Sequence, residues 1–232
     1  MLYSELYCQS NFSFLQGASR PEELVIEASF LGYQAIAITD ECSVAGVVRA
    51  HAAIKEHKLD IKLIVGSMFW LNDELQFVLL CPNRKAYGEL CRVITNARRR
   101  SEKGQYDLQE WDLMSLKHCL VIWLPTGTPS DERWGSWLWQ YHSGRMWLGL
   151  QRRMLNNDQL YQQHCLALAR QLELPVLACG GGLFHNASRL PLQHTLTAIR
   201  LGKPINELGH ARLANAERAL RSVSKLSKLF AR

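Results

Sequence analysis

Asp40 and Glu41 are adjacent carboxylates at the end of a short apolar run, Ala35-Ile36-Ala37-Ile38-Thr39. Hard divalent cations prefer such oxygen donors. When several His and carboxylate ligands converge, the ions they hold clamp phosphate and acidify water, which is the chemistry of metal-dependent phosphoester hydrolysis. One or two carboxylates rarely hold a metal alone. No resident metal is therefore expected, and Asp40, Glu41 and His185 are the residues that would hold one if it bound. Cys8, Cys42, Cys179 and His185 form a second, softer donor set. The chain has seven cysteines and no Cys-x-x-Cys pair. Strand alternation would also turn Cys8 away from the face of Tyr7 and Gln9, so the thiols read as buried apolar groups. The sharpest basic cluster is Arg98-Arg99-Arg100 with Lys103. It offers candidate nucleic-acid contacts, although cations at a helix C-terminus also complement the macrodipole.

The elements that position these residues alternate in type. A chain of 232 residues, 47% hydrophobic and 21% charged, suits one large α/β domain. Ser19-Arg20-Pro21-Glu22 reads as a capping-box helix start, Leu24, Ala28 and Leu31 share a face, and Gly32 supplies a stop. Ala35–Thr39 reads as a strand buried on both faces. Helices are predicted over 44–57, 83–97, 158–172 and 188–201, and strands over 62–65, 76–80, 119–124 and 175–179. Such alternation predicts a parallel sheet, either open or closed into a barrel. Residues 125–147 read as irregular, with Trp134, Trp137, Trp139 and Trp147 as core or barrel cover. Residues 211–232 read as a final basic helix leading into a segment beyond residue 232. No apolar run approaches the roughly 20 residues of a membrane span, and no basic-then-apolar leader opens the chain, so a cytoplasmic protein without membrane contact is expected. The net charge of +6 permits a polyanion partner without requiring one.

Residues 5–19, with Tyr7-Cys8-Gln9-Ser10 and Gln16-Gly17 at their centre, resemble the first motif of PHP (polymerase and histidinol phosphatase) domains, His-x-His-Ser followed by Asp-Gly. Tyr7, Gln9 and Gln16 stand where that family has metal ligands. Thr39-Asp40-Glu41 stands for Thr-Asp-His, Met68 for the Glu of Ile-x-Gly-x-Glu, and Gln76 for a strand-opening His. Gly181 and Leu183 occupy the two positions of a late Asp-x-His. The resemblance implies that Tyr7, Gln9, Gln16, Asp40, Glu41, Met68, Gln76, Gly181 and Leu183 are vestigial metal-site positions, and that this chain carries no catalytic residue.

Longer stretches, among them Ala37-Ile38-Thr39-Asp40-Glu41-Cys42-Ser43, Ile94-Thr95-Asn96-Ala97-Arg98-Arg99-Arg100 and His194-Thr195-Leu196-Thr197-Ala198-Ile199, resemble error-prone bacterial C-family DNA polymerases of the ImuC type. The resemblance implies a distorted TIM-like (β/α)7 barrel. It implies a degenerate PHP domain over 1–210 and a helical segment over 211–232 leading toward a polymerase palm. The full-length protein would be a nucleotidyltransferase of translesion synthesis whose Mg²⁺ lies outside this fragment, which needs no cofactor. Expected partners are the polymerase core of the same chain, lesion-bypass proteins, and DNA through the full-length protein. Rival readings are a phosphoesterase or 3′-5′ exonuclease rebuilt around Asp40, Glu41 and His185, and a DNA-binding module using the basic patches.

Overall fold

Seven strands pair in strict chain order, and the two ends of the row meet. The structure, a computed structural model, describes residues 2–230. The strands are β1 (Ser4–Glu5), β2 (Ala35–Ile38), β3 (Lys62–Leu71), β4 (Leu75–Leu80), β5 (Leu120–Leu124), β6 (Met146–Gln151) and β7 (Val176–Cys179). Just past β1, Cys8 pairs with Gly182 beyond β7. Gln9 N–H donates to the Gly182 carbonyl at 2.9 Å and Gly182 N–H to the Tyr7 carbonyl at 3.2 Å. This nearly closes a barrel. The buried Glu5 carboxylate stitches the same seam, accepting from Gly180 N–H at 3.0 Å, Tyr7 N–H at 3.1 Å and Tyr3 Oη at 3.0 Å.

The barrel interior is filled by alternate residues of the strands, with Ala37, Met68, Val78, Ile122, Leu124 and Cys179 in one buried cluster with Tyr7. Period-2 alternation sends the intervening residues outward to the helices. There α1 (Pro21–Phe30) and α2 (Gly46–Glu56) cover β1 and β2, with Leu24, Val25, Ala50 and Ala53 packed against Ile36 and Ile38. On the other side α3 (Arg84–Arg99), α4 (Glu110–Met114), α5 (Ser130–His142) and α6 (Asp158–Gln171) cover β3 to β6. Asn83 caps α3 by accepting from Lys85 N–H and Ala86 N–H. No helix among the described residues is long and apolar enough to cross a membrane.

Four expectations need correction. The sheet is not wholly parallel, since β4 runs antiparallel to both neighbours. Only Asn72, Asp73 and Glu74 join β3 to β4, too few for a crossover. Asn72 and Asp73 have φ of 54° and 56°, as the two central residues of a primed turn closed by Glu74 N–H donating to the Leu71 carbonyl at 3.2 Å. The segment 125–147 is not irregular, because it holds α5 and the start of β6. Trp134 is buried there while Trp139 is 46% exposed. The α1 start uses Arg20 N–H donating to Glu23 at 2.8 Å, whereas the Ser19 hydroxyl contacts His185 instead, 2.7 Å away.

The fourth correction is the end of the chain. Helix α8 spans only Val223–Phe230, and the last two residues of the expected 211–232 helix lie outside the described residues. Residues 218–220 run against the barrel, with Ala219 in a parallel bridge to Phe184. Leu183 N–H donates to the Arg218 carbonyl at 2.8 Å and Leu220 N–H to the Phe184 carbonyl at 3.1 Å. Backbone groups used in that ladder are not free for helical i→i−4 bonds.

Two outcomes follow. A Cβ added to Gly180 would sit 2.1 Å from Glu5 Oε2, so Gly180→Ala is expected to cost roughly 2–4 kcal/mol, read as a lowered urea midpoint. His142, at the end of α5, is held to about 4 by burial and by Arg145. Its lowered pKa means that stability is full above about 6.5 and is lost as pH falls through about 4, up to about 3 kcal/mol in all. His142→Asn is expected to flatten that part of the pH–stability curve.

Candidate functional site

The C-terminal ends of the parallel strands and the start of β4 point to one mouth. The reversal of β4 is what delivers Gln76, opposite Trp70 of β3 and Leu124 of β5. A cavity of about 390 Å³ opens there. Its wall includes Tyr7, Gln9, Gln16, Met68, Gln76 and Leu183, so six of the vestigial positions do converge.

What converges is a chain of hydrogen bonds through neutral side chains that ends on the Asp40 carboxylate. Gln76 Nε2 donates to Tyr7 Oη at 3.1 Å, and Tyr7 Oη donates to Gln9 Oε1 at 3.2 Å. Gln9 Nε2 donates to Ser13 Oγ at 3.2 Å, and Ser13 Oγ donates to Asp40 Oδ1 at 2.8 Å. Each polar side chain in the run satisfies the next, with Tyr7 and Gln9 each 1% exposed. Buried polar networks of this kind are stable only when fully paired.

Asp40 is not on the cavity wall. It is fully buried and accepts four bonds, from Ser10 N–H (2.7 Å), Ser10 Oγ (2.7 Å), Ser13 N–H (3.1 Å) and Ser13 Oγ (2.8 Å). Burial pushes its carboxyl above the usual range, against those four donors, which pull it down. The carboxylate thus ties the turn after Tyr7 to the end of β2. Glu41 is not on the cavity wall either and accepts from Gln16 Nε2 and from Tyr106 Oη. His185 is drawn to Ser19, apart from both carboxylates.

The remaining positions offer a cation nothing. Met68 is buried in the barrel interior and Leu183 in a separate apolar cluster. Gly181 has φ of 63°, and a Cβ there would lie 2.6 Å from Gln151 Oε1 and 3.3 Å from the Tyr7 ring, which leaves no room for a ligand side chain. Among the described residues, no group of three or more His, Cys, Asp or Glu is placed to hold a metal ion. Neutral amides, a phenol and a thioether do not balance a divalent charge, so the residues present do not fit a PHP-type metal centre. The thiols do not form a soft site either. Cys8, Cys42 and Cys179 belong to three different apolar clusters. Burial pushes Cys42 to about 12 and the other two well above the usual thiol range.

The basic cluster after α3 is partly used within the fold. Arg98 donates to the Glu41, Cys42 and Gln105 carbonyls and stacks 5.4 Å from the Tyr106 ring. Arg100 pairs with both oxygens of Asp112 at 2.6 Å. Arg99 is exposed, as is Lys103.

Sequence reasoning missed the cations of the mouth itself. Arg153 lies just past β6, Arg200 ends α7 (Leu190–Leu201), and Arg218 comes from the segment before α8; all three line the cavity. Arg218 Nε donates to the Gly181 carbonyl, with its guanidinium 6.0 Å from the Tyr7 ring centre. Burial, with the nearby Arg153 charge, lowers Arg218 to about 10. The available signal was Gln151-Arg152-Arg153 at a strand end, hidden because β6 was not recognised.

The comparisons with known proteins agree with this geometry. Over 230 residues the chain is 65% identical to a Vibrio vulnificus protein named error-prone DNA polymerase, covering 99% of this chain and 22% of that protein. A Methylococcus capsulatus protein of the same name is 48% identical over 100% of this chain and 22% of its own length. The chain therefore spans about a fifth of these curated relatives. Among solved structures, a candidate metal-dependent phosphoesterase from Bifidobacterium adolescentis shares the fold, with a TM-score of 0.51, 14% identity, 78% of this chain covered and 87% of that one. The sequence pattern of the PHP domain matches residues 5–122, and with the seven-stranded barrel and the converging motif positions, the chain belongs to the PHP domain family.

Proposed function

We propose that the chain is the PHP domain of an error-prone DNA polymerase and that the domain is itself non-catalytic. The observation that carries this reading is the neutral run from Gln76 through Tyr7, Gln9 and Ser13 to Asp40. A hydrolytic PHP site needs anionic and imidazole donors that can turn to a metal. Here the corresponding side chains are turned to one another, and Asp40 is fully buried, accepting four hydrogen bonds away from the cavity wall. The names of the long relatives support the polymerase part of the reading.

On this reading the domain acts as a rigid scaffold. It packs against the polymerase core of the same protein and against lesion-bypass partners, and the full-length protein extends primers across damaged template. The Mg²⁺ for nucleotidyl transfer is bound by that core, outside these residues. DNA is contacted through the full-length protein, in the cytoplasm.

Two measurements test this. The purified chain, incubated with Mn²⁺ or Zn²⁺ and either a labelled primer or a chromogenic phosphodiester, is expected to release no product beyond a metal-only control. Hydrolysis that disappears in Asp40→Asn would overturn the non-catalytic reading. Separately, Asp40→Asn puts an amide N–H₂ among four donors and is expected to cost roughly 2–4 kcal/mol of stability. A neutral effect in chemical denaturation would show that Asp40 is not the strut described above.

A further inference from the structure

The cavity wall carries three arginines, Arg153, Arg200 and Arg218, against one carboxylate, Asp158. Among the described residues, Arg153, Arg200 and Arg218 take part in no ion pair. The carboxylate on the wall, Asp158, is already taken by Arg153 N–H (2.9 Å), Met154 N–H (2.8 Å) and Arg152 Nε (3.5 Å). Glu217, next in sequence to Arg218, is drawn off by Lys225 (2.6 Å) and Arg221 (3.4 Å). Arg153 Nε is buried without a hydrogen-bond partner among the described residues, while its outer nitrogen reaches Gln151.

Guanidinium groups held close together in a partly enclosed site are stabilised by an oxyanion that each can donate to. We propose that this cavity binds a phosphate group without a metal ion, with Arg153 and Arg218 at its base and Arg200 at its rim. The volume of about 390 Å³ lies in the range of small-ligand pockets. Trp70 and Tyr161 on the wall offer ring surfaces to a base or sugar attached to that phosphate. The ligand is therefore inorganic phosphate or a mononucleotide, sharing one phosphate-recognition chemistry. Where a hydrolytic relative would use cations to hold phosphate, this chain would use fixed side-chain charge. Phosphate binding here is independent of which reaction a longer protein performs.

Isothermal titration calorimetry of the 232-residue chain, in EDTA at fixed ionic strength, tests the site with inorganic phosphate and with dAMP. Saturable one-to-one binding is expected, weakened about tenfold or more by Arg153→Gln and by Arg200→Gln. Arg200 is exposed, so its variant keeps the fold even if Arg153→Gln does not. Equal affinity for the two ligands would identify the phosphate group alone as what is bound; tighter dAMP binding would identify the nucleotide. A dissociation constant above about 10 mM for both, affinity unchanged in folded Arg200→Gln, or binding that appears only when Mn²⁺ replaces EDTA would each overturn the site.

Discussion

The seam between the first and last strands governs the molecule. A seven-stranded row left open would expose two edges and would leave Tyr7 and Gly181 on opposite sides of the fold. The Glu5 carboxylate removes that possibility by accepting from both sides of the seam, Tyr7 N–H and Gly180 N–H. A carboxylate without these donors would be very costly to bury, so Glu5 and the closed barrel require each other. Gly180 is needed because the carboxylate occupies the place of its Cβ. Once the seam is fixed, Tyr7, Gln9 and Leu183 share one mouth, and the reversed β4 brings Gln76 to it.

On the proposed reading, the mouth keeps the layout of a metal site with different physics. Asp40 stays where a ligand would be and acts as a strut for the turn carrying Ser10 and Ser13. The neighbouring positions satisfy their polar atoms internally. Positive charge, which a metal would supply in a hydrolytic site, comes instead from arginines entering from three separate parts of the chain. On the proposed reading, the electrostatic sign that suits phosphate is kept and the means of activating water is not.

Much of this was legible in sequence. Apolar strands such as Ala35–Ile38 are hydrophobic throughout because they are buried on both faces, and Asn83 before a polar-apolar repeat marks a capped helix. The first-motif residues announced both their place and their loss of donors. The misreading of the chain's end comes from contacts distant in sequence. Residues 211–222 have apolar spacing compatible with a helix, but the backbone of Arg218 and Leu220 is claimed by Leu183 and Phe184. The α5 and β6 segment is crowded with tryptophan and flanked by Gly and Pro, so neither period stands out; Gly149 is there because a Cβ would strike Leu124 and Ile122 inside a full barrel. Missing β6 hid Arg153, and missing the strap hid Arg218.

The most direct test of the account is the divalent-metal content of the purified chain at equilibrium. Dialysis against micromolar Mn²⁺ and Zn²⁺, followed by elemental analysis, is expected to leave well under one equivalent of either metal per chain. One or more equivalents retained, and released by Glu41→Gln or by loss of His185, would contradict it, because carboxylates and imidazole described here as structural would then be serving as ligands.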